Sequence, residues 1–461
     1  MDKEQKKTPI FSGVSPEQVA EDLKPLVDFE EDGLTLQALR ELLETRLFPH
    51  LMNYDIPAFQ SMFNVIPEEG AKLGAEIALR YNQGVTGWQV SPGGATLEEL
   101  CCRALCRLFG LSPQSDATPM YCGTYANQHA LFMALHRQAE REGFDLNTKG
   151  LQGFKDPGRL AVMISEDAHF SLNHAVRSLG IGEQSLITLK VDKNRRLDID
   201  DLREKLKELK GKKEIFCVVA TAGTTSSGSV DPILSMAKIC QAADIWLHVD
   251  GAYGFVYCLV PEREHLYAGK EFADSISWDP HKQLGVPIPN SVLFVKRQED
   301  FGRMAMFGDY FNQEGDPKPN PGLKSPPTTR PFSVLPIVTS LRFQGMKKLI
   351  ERLRAPLMAI KEAADRIKGE SGGQLMVAPD TGILCFRIIP EAFPEERLND
   401  LQEYIFDRIM DDGTRTISKT KLGKNTVLRL VAISPSITAD DLMETVVCAR
   451  SLAEKYKHKN V

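Results

Sequence analysis

The sequence predicts an α/β protein built on a large, mostly parallel sheet. Between about 119 and 295 short apolar runs alternate with amphipathic stretches. Six runs, AVMIS, SLITL, IFCVVAT, IWLHVD, SISW and SVLFVK, have strand length and β-branched content. Strands separated by helices form parallel sheets covered on both faces. With 461 residues, the chain exceeds the roughly 250–300 at which a single core stops growing, so more than one part is expected.

In chain order, 1–75 is expected to form a helical arm, because Leu36, Leu39, Leu43 and Leu47 recur at three- and four-residue spacing. One helix should follow Pro67, and another should open at Ser91-Pro92 and reach Leu108, with a loop over 81–90. The large α/β domain spans 76–335. Its last stretch, 307–329, is rich in Pro, Gly and Asp and has the length of a lid. Residues 336–461 should form a small α+β domain: a helix over 341–368, strand-like LMVAP and ILCFRII, a helix near 398–410, a strand VLRLVAI and a final helix from Ala439.

Hydrophobic residues make up 42% of the chain and charged residues 26%, the composition of a folded domain rather than a disordered one. Lys and Arg number 56 against 62 Asp and Glu, a net charge of −6, which gives no reason to expect nucleic acid or an anionic membrane as partner. Nine cysteines follow no pairing pattern, and Cys101, Cys102 and Cys106 share a helix with no histidine nearby, so neither a disulfide framework nor a metal site is expected. No run approaches the ~20 apolar residues of a membrane span, and MDKEQKKTPIFSG at the start has no apolar stretch behind it. The expectation is a cytoplasmic protein with small-molecule partners.

In parallel sheets ligands collect beyond the carboxyl ends of the strands. Lys282 lies there, in WDPHK directly after SISW. Asp250 ends IWLHVD behind apolar Ile245, Trp246, Leu247 and Val249. A carboxylate so placed needs a cation or strong donors. A protonated pyridine nitrogen is one such partner, and a helix cap is the other reading. In VVATAGTTSSGSVD a strand runs into Gly223-Thr224-Thr225, small residues that allow close approach of a ring or phosphate. In MYCGTYANQHALFMAL, Cys122-Gly123-Thr124 opens a helix whose free N–H groups and dipole suit a phosphate. His169 again follows a strand, where its flat ring can stack on a cofactor or serve the core. Arg429, on an apolar strand, is costly without an anion, either a ligand or an internal carboxylate.

With His169, Thr225, Asp250-x-Ala252 and His281-Lys282 in this order and spacing, the chain resembles the group II pyridoxal-phosphate-dependent amino-acid decarboxylases, among them aromatic-amino-acid and glutamate decarboxylases. The similarity is strongest over 161–296 and extends more weakly over 63–440. The resemblance implies a fold-type I enzyme that carries pyridoxal 5'-phosphate as a Schiff base on Lys282. It implies that His281, Gly123 and Thr124 contact the phosphate, that Asp250 pairs with the pyridine nitrogen, and that Thr225 lies near the ring substituents. Ala252 then packs beneath the ring and His169 stacks on its other face. Arg429 matches the arginine that binds the substrate α-carboxylate. A homodimer with shared active sites is implied as well.

Two departures bear on chemistry. Cys122 stands where the family has a small Ser, Gly or Ala. The family's mobile loop carries a tyrosine that protonates the substrate carbon, whereas the corresponding stretch here, approximately 312–329, contains none; the nearest is Tyr310. Decarboxylation to amine and CO2 is the leading expectation, with Tyr310 or His169 as proton donor. Oxidative decarboxylation-deamination to an aldehyde, a carbon–carbon lyase, and a catalytically silent cofactor-binding protein remain the alternatives. Phe63-Asn64-Val65 departs from the Phe-Asn-Gln that resembling enzymes use for glutamate, and GWQVSPGGATLEEL resembles the pocket segment of the aromatic enzymes. Phe63, Trp88, Gln89, Val90 and Pro92 are therefore candidate wall residues for an aromatic or other apolar amino acid.

Overall fold

The computed structural model describes residues 10–29, 31–308 and 315–460, without side chains for 459 and 460. It divides into two compact units, one of residues 65–354 with 379–381, the other of the flanking segments up to 64, 355–378 and from 382 onward.

The larger unit is the expected α/β layer structure. Its sheet comprises β1 (Asp116–Met120), β2 (Leu160–Ser165), β3 (Leu186–Leu189), β4 (Glu214–Thr221), β5 (Trp246–Asp250), β6 (Ser275–Trp278) and β7 (Ser291–Val295). Their spatial order is β1-β7-β6-β5-β4-β2-β3. β3, β2, β4, β5 and β6 run parallel, while β7 is antiparallel to both its neighbours. β1 was not expected as a strand: DATPM has neither alternation nor a β-branched run, and its pairing with β7 forms it. The 19-residue helix Gly123–Arg141 packs on β4 to β7. Ala126, Ala130, Met133 and Ala134, at i, i+4, i+7 and i+8, form a buried stripe on it. Small residues there bring the helix close to the sheet. The β2, β4, β5 and β6 strands all end on the same edge, and the residues with chemical potential follow those ends.

The smaller unit holds an antiparallel sheet of β8 (Gly373–Leu375), β9 (Ile383–Ile388), β10 (Ser418–Leu422) and β11 (Asn425–Val431), ordered β10-β11-β9-β8. The helices Leu398–Asp412 and Ala439–Asn460 lie with it, and Ile405, Leu428, Leu430 and Val446 meet in its core. The run LMVAP contributes only its first residue to a strand, because pairing with β9 ends at Leu375. The N-terminal segment joins this unit: Ile10 N–H donates to Gly413 O at 2.9 Å, and the Gln60 amide donates to Asp441 O at 2.9 Å while accepting from Thr445. The expected helical leucines form Leu36–Arg46, yet neither this helix nor Pro16–Leu23 contains a buried residue. Leu42, Leu43 and Leu47 are partly buried, while Leu36 and Leu39 are exposed.

Candidate active site

Beyond the strand ends of the larger unit lies a cavity of about 190 Å³. It brings together Gly123, Thr124, His169, Thr225, Asp250, Ala252, His281 and Lys282, all eight positions singled out for a cofactor, although they span 160 positions of chain. Cys122, Asn127, Ser171, Thr221, Gly223, Tyr253 and Asp279 complete its wall.

Each residue is placed by its element. Lys282 sits in the turn after β6, where Asp279 N–H donates to Ala252 O at 3.1 Å and Lys282 N–H to Asp279 O at 3.0 Å. The turn folds the amine back so that Nζ lies 3.0 Å from Asp279 Oδ2. Asp279 is itself buried and accepts from Ser291 Oγ. His281 Nδ1 donates to Asn290 O at 2.5 Å, and burial holds its imidazole below the usual value. Asp250 ends β5, with Ala252 N–H 3.2 Å from Oδ1.

His169 follows β2. Its Nδ1 accepts Ser171 N–H at 3.1 Å, so the proton of the neutral ring is on Nε2. Burial favours that neutral form and lowers its pKa, partly offset by the nearby Asp250 charge. Thr225 lies in the turn that leaves β4 and is closed by Asp231, whose carboxylate accepts from Thr221 N–H and Leu197 N–H, each at 2.7 Å.

The helix Gly123–Arg141 starts at the cavity wall. A Cβ on Gly123 would lie 3.0 Å from both Asp279 oxygens and 3.1 Å from the Ala252 methyl, so glycine is what keeps this helix end open. Free N–H groups for an anion, a buried carboxylate for a ring cation, a neutral imidazole face and a primary amine converge in one cavity. This donor set fits pyridoxal phosphate. Gly123, Thr124 and His281 suit its phosphate, Asp250 its pyridine nitrogen and Lys282 its aldehyde carbon.

The remaining predicted positions lie elsewhere. Trp88, Gln89 and Pro92 do not line this cavity. Trp88 is 42% exposed, and its N–H donates to Pro319 O at 3.0 Å. Arg429 and Phe63 belong to the smaller unit, where Arg429 is 5% exposed, donates to Ser418 Oγ at 2.8 Å and to Ser61 O at 3.0 Å, and stands 5.4 Å over the Phe63 ring. Tyr310 lies outside the described residues.

A family model described as the pyridoxal-dependent decarboxylase conserved domain matches residues 16–389. The chain belongs to this family. It is a pyridoxal-phosphate-dependent carboxy-lyase acting on an amino acid. The decarboxylase is 28% identical over 386 residues to an L-2,4-diaminobutyrate decarboxylase of Acinetobacter baumannii, covering 82% of this chain and 76% of that one. It is 27% identical over 438 residues to an aromatic-L-amino-acid decarboxylase of Bacillus atrophaeus, covering 92% and 87%. The solved structure of Oryza sativa TDC with PLP and tryptamine shares the fold, with a TM-score of 0.87, 23% identity, and coverage of 97% and 93%.

Sequence reasoning missed Asn127, Ser277 and Asp279. The signal for Asn127 was its position four residues after Gly123, which puts it on the same helix face one turn in. Ser275 and Ser277 alternate with Ile276 and Trp278 on β6, which marks a polar face on a strand buried on both sides.

Proposed function

We propose that the decarboxylase acts on an aromatic or other apolar L-amino acid, releasing CO2 and the corresponding amine, with Lys282 as covalent anchor of the cofactor. The convergence of Lys282, Asp250, His169 and the Gly123 helix start in one cavity supports this most directly. Pyridoxal phosphate supplies the electron sink for the bond broken at the substrate's α-carbon.

The chain's own residues set the rest. Gly123, Thr124 and His281 would hold the phosphate. Asp250 keeps the pyridine nitrogen protonated by stabilising its charge. Ala252 and His169 would confine the ring, and Thr225 would lie near its substituents. Arg429 takes the α-carboxylate, orienting the bond to be cleaved. His169 carries its proton on Nε2 in the cavity and is one candidate to deliver it to carbon; Tyr310 is the other.

Phe63, Trp88, Gln89 and Pro92 are proposed as substrate walls. A cytoplasmic homodimer whose copies complete each other's sites is part of this proposal, and the exposed Leu36 and Leu39 of the N-terminal arm support the homodimer. Among the described residues no helix is long and apolar enough to cross a membrane.

A second reading is favoured by one observation: the stretch of approximately 312–329 contains no tyrosine. Without that proton donor, oxidative decarboxylation-deamination competes with protonation: dioxygen takes two electrons and leaves as hydrogen peroxide, water supplies the aldehyde oxygen, and the nitrogen departs as ammonia. Incubating pure protein with a panel of amino acids, including diaminobutyrate and acidic ones, and assaying amine, aldehyde, ammonia and peroxide separates the routes. Amine from aromatic substrates without peroxide supports the proposal. Aldehyde with peroxide and ammonia selects the second reading, and turnover confined to diaminobutyrate or acidic substrates refutes the substrate class.

A further inference from the structure

A buried polar chain runs through the sheet to Asp250. Strand alternation places Trp246, His248 and Asp250 on one face of β5, and Ser275 and Ser277 on the neighbouring face of β6. With Asn127 and Ser171, all are buried.

Donor and acceptor chemistry fixes the direction of the bonds. The Asp250 carboxylate accepts, so Asn127 turns its amide N–H toward it, at 2.8 Å from Oδ2, and toward Ser171 Oγ at 2.9 Å. Asn127 Oδ1 then faces the sheet and accepts from Ser277 Oγ at 2.9 Å and from His248 Nε2 at 3.0 Å, which must carry hydrogen. Burial pushes His248 down to about 4, so near neutral pH its Nδ1 is bare and accepts from Ser275 Oγ at 2.9 Å. Trp246 Nε1–H can only donate, and gives to Ser275 Oγ at 2.8 Å. The bonds run Trp246, Ser275, His248, Asn127, Asp250, each donor pointing toward the carboxylate.

We propose that Asn127 and His248 are positioning residues that hold the Asp250 carboxylate in one orientation for the pyridine nitrogen of the cofactor. This rests on the function proposed above. Asn127 acts on Asp250 directly, and His248 acts by fixing which way the Asn127 amide faces. A core network with no such role would move stability and leave cofactor affinity alone.

The test uses the full chain with pyridoxal phosphate as ligand, reading Kd by ultrafiltration together with the visible band of the bound cofactor. A hydrogen bond to a charged group is at stake, so Asn127→Ala should raise Kd about tenfold or more. His248→Leu, unable to donate, should raise it about threefold or more, while His248→Gln, whose amide can still donate to Asn127, stays within about twofold of wild type. Should Asn127→Ala fail to fold, the contrast between the two His248 variants decides. Nitrogen-15 spectra of histidine-labelled protein at pH 7 should show His248 as the neutral Nε2–H tautomer. An Nδ1–H tautomer, or a wild-type Kd in both Asn127→Ala and His248→Leu, overturns the proposal alone. A wild-type chain with no Lys282-dependent visible band overturns it together with the functional reading.

Discussion

His248 lies fully inside the sheet, with its ring neutral because charge there is desolvated. Its folded pKa, about 4, lies below the unfolded value of 6.5. The sign follows from proton binding: between these values the unfolded chain takes up a proton that the folded chain refuses. The histidine's contribution is full above about pH 6.5 and is lost as pH falls toward 4, by up to about 3 kcal/mol. In urea titrations across that window, wild type should therefore lose more stability than His248→Gln; parallel pH profiles would show that this histidine is not buried in its neutral form. Gly123 carries a steric prediction. Gly123→Ala drives a methyl against Asp279 and Ala252, and should weaken pyridoxal phosphate binding about tenfold or more, a loss of the order of one charge-assisted hydrogen bond. Gly302→Ala, where a Cβ meets nothing within 4 Å, should bind like wild type. Equal affinity in both variants would remove the helix start from the cofactor site.

At the level of elements, two buried ion pairs fasten the segment 319–330 to its neighbours. Arg330 pairs with Glu98 of the helix Pro92–Leu108 and donates to Thr118 Oγ1 at 3.1 Å, and Lys324 reaches Asp116 on β1 at 2.5 Å. Backbone bonds join the same segment to 85–88: Val85 N–H to Arg330 O at 2.8 Å and Gly322 N–H to Thr86 O at 2.7 Å. This clasp fixes both the base of the tyrosine-free loop and the Trp88 stretch. Burial raises the Glu98 carboxyl's pKa and Arg330 opposes the shift, so Glu98→Gln leaves the guanidinium uncompensated and should cost about 3–5 kcal/mol in chemical denaturation. Glu98→Gln combined with Arg330→Met should cost less than the two single changes added together. Strict additivity would mean that the charges do not sense each other.

Across the whole molecule, the parallel strands were legible because each is an apolar run of strand length, and four of them, β2, β4, β5 and β6, carry His169, Thr225, Asp250 and Lys282 at or just past their ends. What stayed hidden depended on register. β1 is defined by pairing with β7 rather than by its own residues. β10, SKTKL, reads as a polar stretch because its two lysines face solvent on an edge strand. Asn127 looked like one polar residue on a helix until the fold placed it on Asp250. The proposed function requires that this cavity remove the carboxyl group of an amino acid with pyridoxal phosphate anchored on Lys282. The most direct measurement supplies cofactor-saturated wild type and Lys282→Ala with carboxyl-labelled amino acids and captures CO2. The expected result is labelled CO2 from wild type and none above background from Lys282→Ala. No labelled CO2 from any amino acid, or equal release by both proteins, would contradict it.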